Sequence, residues 1–242
     1  MATPGELELG ALRDWARVAA RVSAGPAPTP ARRPPGRGAL ALAGRTALLA
    51  VLPFFMLIRG SVLLYSRYHW PTWAALAGGA ALTLVVVALY ASWLSRRLTG
   101  RFRFRLVARR VALPLVLAYC VYCLVYVSSL NAKSEGVRGY YTSLHPLLRM
   151  ALATWILADR DIVITDLARR PEDYAAMGLP SSGASLHYRQ ADGYVHAADL
   201  RTAGRGGVKS RLVQAYFWVT GFDTLRHVGT ADHLHVELVM RE

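Results

Sequence analysis

The chain is poor in acids and nearly devoid of cysteine. Only 15 of its 242 residues are Asp or Glu, against 29 Lys or Arg, and none of those acids falls between Thr46 and Leu130. Cys120 and Cys123 stand one helical turn apart inside an apolar run. Alone they cannot furnish a four-ligand metal site, which leaves packing as their role. The first apolar run begins at Thr46, behind a Pro/Arg-rich stretch, so a cleaved signal peptide is not expected. The apolar runs also lack the paired charges or broken-helix symmetry that would mark a transport path.

What the acid-free region does contain is hydrocarbon. Thr46–Tyr65, Pro71–Leu94 and Val111–Leu130 each reach the roughly 20 apolar residues that a helix needs to cross about 30 Å of bilayer core. These predict three transmembrane helices. Arg59, near the end of the first, reaches the interface on its long stem, where Tyr65, Tyr68, Trp70 and Trp73 form an aromatic belt. Arginines crowd residues 13–45 and the loop Ser95–Arg110, whereas Arg67 stands alone between the first two runs. The positive-inside tendency then predicts a multi-pass protein of the inner (cytoplasmic) membrane, with its N-terminus cytoplasmic and everything after Leu130 extracytoplasmic, or periplasmic. Topology and anionic headgroups account for the Arg-Phe alternation of that loop, so no nucleic acid is called for. The domain reading is 1–45, a cytoplasmic amphipathic helix (Glu6 to Val22) and Pro/Arg-rich linker; 46–130, a three-span membrane domain; and 131–242, an outer domain.

The outer domain reads as a small α+β unit with an antiparallel sheet. Thr142–Ala158 is an amphipathic helix capped by Ser143, with Pro146 in its first turn. Asp161–Thr165 is a short buried strand, and Arg169–Gly178 holds a brief helix. Ser185–Thr202 forms two strands around a turn at Asp192-Gly193. Arg211–Phe222 contains a helix stopped by Gly221, and strands near Thr224–Val228 and His233–Val239 close the chain. In the last strand His233, His235 and Glu237 alternate with Leu234, Val236 and Leu238, so the two histidines share a face. A solvated edge strand would show the same alternation.

His187, Asp199 and His235 fall on three neighbouring strands. Two imidazoles and a carboxylate suit Zn²⁺ and leave a fourth position open, as in catalytic sites. Asp232, three residues before His235, is the candidate base for a metal-activated water. The segments Ile164–Arg169, Ser185–His187, Ala197–Asp199, Gly221-Phe222 and Asp232–His235 then resemble, over roughly residues 144–240, the pattern of the zinc D,D-peptidases. These are the D-alanyl-D-alanine carboxypeptidases and dipeptidases, whose fold is shared with hedgehog domains.

The resemblance implies that His187, Asp199 and His235 hold zinc and that Asp232 is the general base. It further implies that Arg169 steadies the substrate and that His233 helps stabilise the oxyanion. The implied partners are peptidoglycan stem peptides, beside the lipid bilayer. The alternative is a module of the same fold that binds wall peptide or a protein partner without catalysis.

One departure bears on the metal. His187 and Asp199 are separated by eleven residues where the family has six, and Val195 replaces an expected glycine. A three-residue connection centred on Gly193 makes His187 face Asp199. A two-residue turn at Asp192-Gly193 sends Asp199 to the far side of the sheet.

Overall fold

The structure is a computed structural model that describes Ala16, Ala19, residues 37–169, Gly178, residues 185–229 and residues 232–240, the side chains of residues 37–50 excepted. The chain divides into two compact units, Met1–Ala47 and Leu48–Glu242. Of the first, Ala16, Ala19 and the start of helix α1 (Arg37–Ser66) are described, all helical. The rest of the expected amphipathic helix and the Pro/Arg-rich linker lie outside the described residues, as does nearly all of the brief helix expected at Arg169–Gly178.

The second unit holds α2 (Thr72–Thr99) and α3 (Phe104–Val125), the latter passing through a π turn at Ala108–Ala112. Among the described residues these two helices are long and apolar enough to cross a membrane, not the three expected. The first run belongs to the 30-residue helix Arg37–Ser66, of which Val51–Ser66 is the part described with its side chains, and one face of that part packs on protein. Leu57, Ile58, Val62 and Tyr65 are buried in the same core as Leu200, Leu234 and Val236 of the sheet. Arg59 is not a simple snorkelling residue either. Its guanidinium lies 2.4 Å from where a Cβ on Gly221 would be, at the C-terminus of a helix, where the macrodipole favours a cation. Gly221 has φ 104°, so both conformation and the closeness of Arg59 and Val62 require glycine there.

After α3 come the short α4 (Glu135–Gly139) and α5 (Pro146–Ala158). Leu147, Leu148, Ala151, Leu152 and Ile156 of α5 are buried as the apolar spacing predicted, but Arg149, Met150 and Ala153 are buried too, so the helix is enclosed on more than the one face expected of an amphipathic helix. Its cap is His145, not Ser143. The Ser143 hydroxyl donates to Tyr140 O within a preceding 3-10 turn, while His145 Nδ1 accepts the Leu147 N–H at 3.3 Å.

Among the described residues the sheet has four antiparallel strands in the order β1-β2-β4-β3: β1 (Ile164–Asp166), β2 (Ala197–Arg201), β3 (Asp223–His227) and β4 (His233–Glu237). Helix α6 (Gly207–Thr220) connects β2 to β3 and ends at Gly221, as expected. Ala198, Leu200, Leu234 and Val236 point into the core; Asp199, His233, His235 and Glu237 take the opposite face. The expected hairpin over Ser185–Thr202 forms only in its second half. Gln190 and Tyr194 are bridged across Ala191, Asp192 and Gly193, but the register slips between Arg189–Val195 and Leu186–His196, so His187 sits in a turn rather than on a strand.

Candidate metal centre

Neither hairpin register anticipated from the turn chemistry is realised, yet the three predicted ligands meet. Asp199 and His235 are direct partners across β2 and β4, which puts their side chains side by side on one face. His187 comes from the turn and is pinned to the segment after β1: its carbonyl accepts the Arg169 N–H at 3.0 Å, and its Nδ1–H donates to Leu167 O at 2.6 Å. That bond makes Nδ1 a donor and turns Nε2 toward Asp199 and His235, where it can ligate an ion once unprotonated. His187 Nε2 lies 3.5 Å from Asp199 Oδ1 and 3.4 Å from His235 Nδ1, and His235 Nδ1 lies 2.8 Å from Asp199 Oδ1. Ligand atoms about 2.0–2.2 Å from a tetrahedral ion stand roughly 3.3–3.5 Å apart. Two separations match such an edge; the third is a hydrogen bond that a metal would replace.

Each donor is oriented from behind, as ligands in metal centres are. Arg169 Nη2 holds Asp199 Oδ2 at 2.5 Å while its Nε bonds Asp166 Oδ2 at 2.5 Å, leaving Oδ1 for the centre. His235 Nε2–H bonds Glu237 Oε2 at 3.2 Å. Burial alone would raise the Asp199 carboxyl, but hydrogen bonds from His187 and His235, with the charges of His187 and Arg169, hold it well below the usual carboxylate range. His235 moves the other way. Burial would lower it, and its bonds to Asp199 and Glu237 raise it, so the proton that an ion must displace is held more tightly than in a free imidazole.

The remaining predicted residues stand apart from these donors to different degrees. His233 Nε2 is 4.0 Å from Asp199 Oδ1, at the mouth of the cluster, with its ring stacked on His227 at 4.6 Å. Arg169 touches the candidate ligand Asp199 and also Asp166. The Asp232 carboxylate accepts the Gly229 N–H at 2.5 Å and lies 3.8 Å from Arg226; among the described contacts none joins it to the three donors. Glu237, Asp166 and the Leu167 carbonyl were not singled out from the sequence. Only Glu237 carried a signal, since it shares the alternating polar face of His233 and His235.

A second group, His145, Asp192 and His196, also brings possible ligand atoms within 4.8 Å of one another. Its donor chemistry does not suit an ion. His145 Nδ1 is an acceptor for the Leu147 N–H, so in the neutral ring Nε2 carries the proton and donates to Thr72 Oγ1 at 2.9 Å. His196 Nε2 donates to Asp192 at 2.9 Å, and the Tyr65 hydroxyl donates to the same carboxylate at 3.2 Å. This is a hydrogen-bonded junction joining the end of α1 and the start of α2 to the 186–196 segment. Burial, with His196 nearby, pushes His145 down to about 3, so it is neutral at ordinary pH.

Comparison with protein-family models, with curated proteins and with solved structures finds no match. The functional reading therefore rests on the centre's own chemistry and on the resemblance of its motifs.

Proposed function

We propose that this chain is a membrane-anchored, zinc-dependent peptidase acting on cell-wall peptides, in the manner of the zinc D,D-peptidases. The observation that carries the reading is the convergence of His187 Nε2, Asp199 Oδ1 and His235 Nδ1, each with its other polar atom tied to Leu167 O, Arg169 or Glu237. These three residues would hold the ion, leaving a position open. When bound, the ion would polarise a scissile carbonyl and acidify a water. Leu167, Arg169 and Glu237 keep the ligands in register without reorganisation, and His233, at the mouth, is suited to donate a hydrogen bond to oxygen charge developing there.

Location agrees with this reading. If α2 and α3 cross the bilayer, the chain after Val125 lies opposite the arginines of Arg96–Arg110, and the arginines of residues 13–45 share the side of that loop when the helix Arg37–Ser66 crosses as well. Those arginines favour the cytoplasm, and the metal centre then faces outward, where cell wall is found.

One observation favours the alternative, a binding module whose catalysis has lapsed. Asp232, the proposed base, is engaged by Gly229 and lies near Arg226. As a peptidase the protein would have to free that carboxylate on binding substrate. The test is zinc content and cleavage of peptides ending in D-Ala-D-Ala by the full chain in lipid nanodiscs, wild type against Asp232→Asn. Zinc in both proteins with turnover only in wild type supports the peptidase. Zinc with no turnover in wild type supports the module, and absence of bound zinc removes the peptidase.

A further inference from the structure

Helix α6 is apolar on two opposite faces. Val213, Phe217 and Thr220 are buried, with Ser210, against the core. On the other side Val208, Leu212, Ala215 and Val219 recur at helical spacing, and Trp218 lies at one edge of their stripe. Val208 is 74%, Leu212 56% and Trp218 69% exposed. Arg211 and Lys209, both exposed, bracket this stripe, Lys209 already paired with the exposed Asp161 at 3.3 Å. An apolar strip flanked by cations is the pattern of helices that lie in a bilayer interface.

The position of α6 in the fold indicates what covers it. Gly221, at its end, backs onto Arg59 and Val62. Arg59 is six residues, or about 9 Å of helix rise, before Tyr65. Tyr65 itself leads into Tyr68, Trp70 and Trp73, exposed aromatics at the start of the membrane-length helix α2, and such aromatics mark headgroup level. The end of α6 thus packs on α1 less than two helical turns from that aromatic belt.

We infer that the outward face of α6, Val208, Leu212, Val219 and Trp218, rests in the headgroup and upper acyl layer of an anionic bilayer. The neighbouring cations meet lipid phosphates, so the domain lies down on the membrane that anchors it. The inference uses the membrane helices and is independent of any hydrolytic activity.

The test is fluorescence quenching of the full chain in anionic nanodiscs, wild type against Trp218→Phe, with bromine on the upper acyl chains or with aqueous iodide. Subtraction isolates the Trp218 emission, and the side chain's exposure means the substitution removes little packing. Trp218 emission should fall at least twofold with brominated lipid and change little with iodide. Quenching by iodide and not by bromine would overturn the inference, as would protection from both, which would mean that protein, such as a second copy of this chain, covers the face. Should Trp218→Phe fail to assemble, Leu212→Tyr in the wild-type chain, read by hydrogen exchange across α6 with and without anionic lipid, tests the same face. Loss of lipid-dependent protection is expected, and unchanged protection would overturn it.

Discussion

The protein carries two clusters of the same composition, two histidines and an aspartate, and they do different work. In His187-Asp199-His235 the atoms that face one another converge, because the far side of each side chain is held by Leu167 O, Arg169 or Glu237. In His145-Asp192-His196 both ring nitrogens of His145 are engaged outside the cluster, one by a helix cap and one by Thr72. Nearness of ligand types is therefore a poor guide to a metal centre. What decides is which nitrogen of each imidazole is already committed.

The sharpest way to break this comparison is to remove the aspartates one at a time. Asp199→Ala should lower zinc affinity by at least about 100-fold, since one of three ligands and the partner of both histidines are lost. Asp192→Ala should leave zinc stoichiometry unchanged; both outcomes can be read by titration against a chromophoric chelator. A smaller effect is expected behind the ligands. Glu237→Leu removes the acceptor of His235 Nε2–H and should cost about 10-fold to 100-fold in affinity, with one equivalent still bound at saturation.

Substitutions at the junction should affect stability rather than metal. His145→Ala removes the α5 cap and the bond to Thr72 and should destabilise by about 2 kcal/mol, whereas His145→Asn keeps a cap and should cost less. Denaturation with and without zinc measures both effects. The pH dependence is the finest probe. With the folded value near 3 and an unfolded value of about 6.5, the unfolded chain binds a proton between those limits that the folded chain refuses. The contribution of His145 is thus fully present above about pH 6.5. It is lost as pH falls, by up to about 1.4 kcal/mol per pH unit. In metal-free protein that increment should be present in wild type and absent in His145→Asn.

The legible part of this molecule was short-range. Period-two alternation in His233–Leu238 gave the correct faces of β4, helical spacing gave part of the buried surface of α5, and Gly221 marked the end of α6. The three converging ligands came from strand faces together with motif resemblance. Less legible was how His187 arrives. Asp192-Gly193 argues locally for a tight turn, but bonds from Leu186 to His196 and from His187 to Arg169 override it, and local chemistry does not encode such contacts. The junction cluster joins Tyr65, Thr72, His145, Asp192 and His196, residues up to 131 positions apart in sequence, so no spacing rule assembles it. Of the three apolar runs, two are membrane-length helices among the described residues; of the third, Val51–Ser66 is described with its side chains, and its Leu57, Ile58 and Val62 face the chain's own core, a contact that composition does not encode.

The most direct measurement is the zinc stoichiometry of the full chain, compared between His187→Ala and His196→Ala. One tight equivalent per chain in wild type and in His196→Ala, and none in His187→Ala, is the predicted result. A tight equivalent kept by His187→Ala, or lost on changing His196, would mean that the ion is held elsewhere and that hydrogen-bond commitment does not distinguish the two clusters.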